Sequence, residues 1–198
     1  MYSHYCWEPT DAVGFEDCAV AFTPSLRADG LVVTVGSDGD AARVRYRVRT
    51  DEEFRTEAVR VDRFDVGGRD DAAASASLSL AVDGGSWTVD RDPVPELDGC
   101  VDVDIAVTPL TNTLPVRRLG LAPGESETIA VAYLDPRTLD VSRAEQRYTR
   151  LADETGDGGR YRYESLASGF TATVSVDAAG VVRDYPGLFR RVRSPPLE

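Results

Sequence analysis

The run Arg43-Val44-Arg45-Tyr46-Arg47-Val48-Arg49 puts an arginine at every second position with an apolar residue between each pair. Successive side chains of an extended strand point to opposite faces, so this run reads as a strand with one solvated and one buried face. Shorter runs of the same period recur: Leu31, Val33 and Val35; Val59 and Val61; Leu78, Leu80 and Val82; Ile129, Val131 and Tyr133; Tyr161 and Tyr163; Phe170, Ala172, Val174 and Val176. Turn residues separate them, among them Asp38-Gly39, Asp83-Gly84-Gly85, Pro123-Gly124 and Gly156 to Gly159. Val66 to Asp71 and the small residues after it read as a loop. Many short strands joined by tight turns predict a mostly β, antiparallel fold with little helix.

One stretch departs from this pattern. Val101, Val103, Ile105 and Val107 alternate with Asp98, Cys100, Asp102 and Asp104, which predicts a strand with an apolar face and a wet or functional carboxylate face. Directly after it, Thr111, Asn112 and Thr113 offer capping oxygens and Pro115 fits a first helical turn. Leu114, Val116 and Leu119 give an apolar side, Arg117 and Arg118 suit a C-terminal end, and Gly120 supplies a stop, so a single short helix is predicted over Thr113 to Leu119. A weak echo at an offset of 115 pairs Arg45-Tyr46-Arg47 with Arg160-Tyr161-Arg162, and as a duplication it would set this element between two similar sheets.

With 198 residues the chain suits one domain, taken as 1–193, with 194–198 as a C-terminal tail. Net charge is -12, and every basic residue is Arg. Such acidity argues against nucleic acid or anionic lipid headgroups as electrostatic partners and suits a salt-adapted, halophilic cytoplasm. Arg190, Arg191 and Arg193 are expected to form a solvated tail. Cys6, Cys18 and Cys100 are odd in number and match no zinc spacing, so reduced thiols and no bound metal are expected. Neither a leader peptide nor an apolar membrane-length run is recognisable, which predicts a soluble, cytoplasmic protein with no integral membrane association. His4, the one histidine, lies in an end expected to fray, Ser165 lacks flanking glycines, and no glycine-rich phosphate loop occurs. No cofactor is implied, and the chain is expected not to be an enzyme.

Five ungapped blocks are familiar: Pro95 to Cys100, Thr108 to Leu119, Gln146 to Arg150, Tyr161 to Ser165 and Asp184 to Phe189. Together with Trp7, Cys18, Arg45 to Val48, Phe54-Arg55-Thr56 and Trp87, they resemble the putative glycolipid-binding family of bacteria and archaea. The resemblance implies a spiral β-roll, in which a long antiparallel sheet wraps around a single short helix, and a homodimer. It also implies a lipid or glycolipid ligand held between the curled sheet and the helix.

A lipid site needs an apolar interior and a few placed polar groups. Tyr148, Tyr161, Tyr163 and Tyr185, with Phe170, are candidates to line it, and Asn112 is a candidate headgroup donor when it is not a cap residue. Asp102 and Asp104 share a strand face, a spacing that suits a glycoside-cleaving pair or a hard cation. Arg117 and Arg118 supply their more ordinary partners, as ion pairs fixing helix to sheet or as readers of a headgroup. Two other readings remain open: a glycoconjugate hydrolase using Asp102 and Asp104, and a structural dimer with no ligand.

Overall fold

The computed structural model describes residues 1–36, 41–64, 75–152 and 158–193. The predicted turn at Asp38-Gly39, the predicted loop from Val66 as far as residue 74, half of the Gly156 to Gly159 turn and the 194–198 tail lie outside them, while Ser75 to Ser77, expected in that loop, open a strand. Fifteen strands are described: β1 (Ser3–Pro9), β2 (Val13–Ala21), β3 (Arg27–Val35), β4 (Ala41–Thr50), β5 (Thr56–Phe64), β6 (Ser75–Asp83), β7 (Ser86–Val89), β8 (Asp92–Pro93), β9 (Asp102–Ile105), β10 (Ser126–Asp135), β11 (Asp140–Arg150), β12 (Gly159–Ser165), β13 (Thr171–Val176), β14 (Val182–Tyr185) and β15 (Phe189–Arg193). One helix, α1 (Thr113–Leu119), follows a 3-10 turn at Leu110–Asn112.

All fifteen strands form a single sheet, ordered β8-β7-β6-β5-β4-β3-β2-β1-β15-β14-β13-β12-β11-β10-β9. Every neighbouring pair is antiparallel except β9 with β10, which is parallel. The expected curled sheet around one short helix is therefore observed, unclosed. The two ends of the chain meet in its middle, where β1 pairs with both β2 and β15. His4 thus sits in an ordered strand rather than a frayed end. Arg190, Arg191 and Arg193 likewise belong to β15 and are not a solvated tail, because closing the sheet between its two meanders uses their backbone. The strands before and after the β9-to-α1 segment form one continuous sheet, not the two similar sheets that a duplication would give.

The sheet curls far enough for its two halves to touch. Thr56 N–H donates to Val101 O at 3.1 Å and Thr56 Oγ1 accepts from Val103 N–H at 3.0 Å. The exposed edge of β9 is thereby satisfied from β5, which fixes the pitch of the spiral.

In β4 the arginine rule holds along the whole strand: arginines lie outside and Val44, Tyr46 and Val48 inside. Burying each such side chain contributes roughly 1.5–3 kcal/mol. Tyr46 depends on a neighbour, because a Cβ at Gly30, its partner in β3, would fall within the Tyr46 ring. The ring lies across β3 and delivers its hydroxyl to Glu16 on β2, an interior carboxylate absent from the sequence expectations.

Helix α1 has the predicted bounds, with Gly120 in the left-handed conformation as its C-cap. Leu114 belongs to the larger core cluster, with Trp7, Tyr46, Trp87 and Ile105, and Val116 to a second one, with Tyr148, Tyr163, Val174 and Tyr185. Both indole N–H groups find carbonyls, Trp7 on Val182 O and Trp87 on Cys100 O, each at 2.9 Å. The capping expectation fails: no side chain caps α1 at Asn112, because the preceding 3-10 turn already leads into it; ahead of that turn Thr108 Oγ1 accepts from Leu110 N–H at 3.0 Å.

β9 is shorter than expected, and its carboxylate face is not wet. Asp102 is wholly buried, because this face is turned toward α1 and β11.

Candidate functional site

Between the β9-to-α1 segment and the concave face of β10 to β15 lies an open cleft of about 430 Å³, within the range of small-molecule sites. Asp104 and Asn112 lie at its floor. Tyr133, Tyr163, Phe170, Tyr185, Leu188 and Phe189 form its walls, and Ser142, Arg143, Ser165 and Ser168 complete the lining. β-strand alternation brings these residues together, since Tyr163 and Ser165 share a face of β12 and Ser142 and Ala144 share a face of β11.

The walls are a contiguous aromatic surface. Tyr163 lies 6.3 Å from Phe170 and 5.8 Å from Tyr185, ring centre to ring centre, and Tyr185 lies 6.5 Å from Phe189. Tyr148 packs edge-on behind Tyr163 at 5.4 Å and is itself buried. Burial raises the phenol pKa of Tyr148, Tyr163 and Tyr185, so all three stay neutral.

Asp104 is held by neutral donors. Gln146 Nε2 donates to Oδ2 at 2.6 Å and Thr111 Oγ1 donates to Oδ1 at 3.2 Å. Behind Gln146, Asn112 Nδ2 donates to Tyr148 Oη at 2.8 Å and Tyr148 in turn to Gln146 Oε1 at 3.4 Å, a relay that fixes the Gln146 amide. Burial, offset only in part by these bonds, pushes the Asp104 carboxyl above its ordinary range.

Asp102, two residues earlier, has a different partner. Arg118 Nη2 and Nε donate to its two oxygens at 2.5 and 3.2 Å, a bidentate pair linking α1 to β9. Burial pushes this carboxyl up and Arg118 pulls it part of the way back. The predicted ion-pair role holds for Asp102 with Arg118 and fails for the other two residues.

Arg117 points to the opposite flank, where Nη1 donates to Ala179 O at 2.6 Å and the guanidinium lies 5.0 Å from the Phe22 ring centre and 4.4 Å from that of Phe54. Tyr161 lies on that flank too, accepting from Arg150 Nη1 at 2.9 Å. Both line a second cavity of about 480 Å³ with Arg150 and Asp177. Of the nine predicted site residues, Asp104, Asn112, Tyr163 and Tyr185 line the cleft, Tyr148 supports it, Asp102 and Arg118 anchor the helix, and Arg117 and Tyr161 lie elsewhere.

The space directly between sheet and helix is filled. Leu110, Leu114, Tyr46, Trp7 and Trp87 are each 0–1% exposed, so room for a ligand lies beside the start of α1 rather than around it. Sequence reasoning missed Tyr133, Gln146, Phe189 and Glu16. Glu16 had a signal: counting back in twos from Val20 and Cys18 puts it on the core face.

A family model described as putative glycolipid-binding matches residues 4–191. Among solved structures, a DUF1089 family protein from Pseudomonas aeruginosa is similar, with 34% identity over 89% of this chain and 92% of that one and a TM-score of 0.76. A beta-barrel-like protein of the domain of unknown function DUF1849 from Brucella abortus shares the fold at 9% identity, over 98% of this chain and 97% of that one, with a TM-score of 0.56. No curated protein matches the chain. Among the described residues no helix is long and apolar enough to cross a membrane.

Proposed function

Because the chain belongs to the putative glycolipid-binding family, we propose that it is a non-catalytic binder of an amphiphile whose glycosyl head sits in the Asp104 cleft. The observation that carries this reading is the pairing of a continuous aromatic wall with one fixed, half-buried acceptor in an open cleft. Aromatic faces pack on the C–H face of a sugar ring, and a carboxylate accepts from its hydroxyls. Phe170, which lines the cleft and is 40% exposed, offers apolar surface for a chain.

Binding is favoured over glycoside cleavage because Asp102 is wholly buried against Arg118, which leaves Asp104 as the one carboxylate among the described lining residues. Three free cysteines support a reducing compartment such as the cytoplasm.

A second copy of the chain is part of this reading. Val13, Phe15, Leu31 and Val35 are 79, 50, 45 and 44% exposed on adjacent strands β2 and β3. Asp17 borders this patch on one side and Arg43 and Arg45 on the other, so a two-fold pairing would set acids against arginines. Light scattering of Phe15→Asp should then report a monomer where the unaltered protein is a dimer.

Native mass spectrometry of the purified protein, followed by solvent extraction, tests the ligand. A stoichiometric glycolipid, lost in Phe170→Ser, is the expected result. An empty protein that also ignores a total lipid extract would overturn the reading and leave a purely structural role.

A further inference from the structure

The strand that floors the cleft carries two carboxylates, and a single guanidinium, from α1, reaches them. Asp102 and Asp104 are two residues apart in β9, and Arg118 serves only the first, with both of its bonds. Among the described residues Asp104 receives only neutral donors, Gln146 Nε2 and Thr111 Oγ1, and Asp102 lies close enough to act on it by charge. Arg143, the one basic residue among the described lining, is turned away, its Nη1 donating to Asp98 O at 2.8 Å and lying 3.7 Å from Cys100 Sγ. The remaining surface is aromatic, and ring faces attract cations.

From this arrangement, and resting on the binding role proposed above, we infer that the headgroup carries a protonated amine, as an amino sugar does, which takes beside Asp104 the place that Arg118 takes beside Asp102. Asp104 is half-buried, and a carboxylate taken partly out of water without a counter-ion is costly; a ligand cation offsets that cost where a neutral hydroxyl does so only in part. An anionic head, a phosphate or a uronate, is disfavoured by the same field. Among the described residues, the titratable groups that act on Asp104 or are acted on by it are the phenols of Tyr133, Tyr148, Tyr163 and Tyr185 and the Asp102 carboxylate. None of these supplies positive charge. Burial raises the Asp104 carboxyl above its ordinary range, so amine binding should strengthen as pH rises and this group ionises.

The test is calorimetric titration of the full chain with an octyl glucoside and the octyl 2-amino-2-deoxyglucoside, with free glucosamine as a third probe. The aminoglycoside should bind about tenfold or more tightly than the neutral glycoside, as an ionic hydrogen bond is stronger than a neutral one. Asp104→Asn should bring the two affinities together. Free glucosamine binding as tightly as its octyl glycoside would assign the site to a soluble amino sugar, with the amine inference intact and the amphiphile reading lost. Equal affinity of the two octyl glycosides for the unaltered protein would overturn the amine inference alone. Binding of none of the three would overturn both.

Discussion

Glu16→Gln tests the electrostatics of the interior. Glu16 is 2% exposed, and its Oε1 accepts from Tyr46 Oη and, at 2.7 Å, from Thr108 Oγ1. Among the described residues its buried Oε2 has no partner, and no cation is among the groups acting on it. Burial therefore outweighs the two hydrogen bonds and pushes the carboxyl from 4.5 to about 8. In the folded state the proton is held until about pH 8, whereas the unfolded chain releases it near pH 4.5. Between those values the folded state binds more protons, so stability falls as pH rises. The slope is about 1.4 kcal/mol per pH unit, and the loss is roughly 5 kcal/mol once pH passes 8.

Glutamine keeps an oxygen for Tyr46 and Thr108 and cannot ionise, so any cost of its amide is a constant offset. Thermal unfolding from pH 4 to 9 at fixed ionic strength is the assay. The stability of Glu16→Gln relative to the unaltered protein should climb steadily from pH 5 to 8 and then level off. At 2–4 °C per kcal/mol for a chain of this size, the relative gain in Tm is about 10–20 °C. Parallel curves across this range would refute the reasoning, because they would mean that Glu16 is ionised in the folded state throughout.

Two further substitutions test how the helix and the sheet are held. Arg118→Leu should cost about 3–5 kcal/mol in urea unfolding, because it leaves Asp102 buried and unpaired. Adding Asp102→Asn should recover part of that loss, and a double mutant worse than the single would count against the pairing. Gly30→Ala should cost roughly 1–3 kcal/mol by displacing the Tyr46 ring. The cost should shrink in a Tyr46→Leu background, whereas an unchanged cost would place the strain elsewhere.

The strands and the helix were legible because each is specified locally. Period-two alternation marks β4 residue by residue, and Pro115 with Gly120 brackets α1. What was not legible depends on how far the sheet curls. The alternation in Cys100 to Val107 separates two faces, but it cannot say that the carboxylate face is covered by α1 and β11. That covering gives Asp102 the guanidinium of Arg118 and leaves Asp104 to Gln146, a residue 42 positions away. Arg117 and Arg118 are neighbours on a helix, where successive side chains diverge by about 100°, so one faces β9 and the other the opposite flank. Sequence could propose both arginines for both aspartates, and only the crossing of helix over sheet assigns one.

The filled interior bears directly on where function resides in this fold. A chain that places Trp7, Tyr46, Trp87 and Leu114 at 0–1% exposure has given the inside of its roll to packing, and opening that space would cost several kcal/mol for each large side chain displaced. The flank is different, because the aromatic rings of β12 to β15 pack mainly on one another and on the cleft, leaving Phe170 40% exposed. Thr108 joins the two regions: its hydroxyl donates to Glu16 in the core and accepts from Leu110 at the start of the helical segment, while the residue lines the cleft. The segment that floors the cleft is therefore anchored at Thr108 to the interior and at Asp102 to the helix. With both anchors on buried carboxylates, Asp104 is held in a fixed position, and a rigid acceptor binds a ligand without first paying to be ordered.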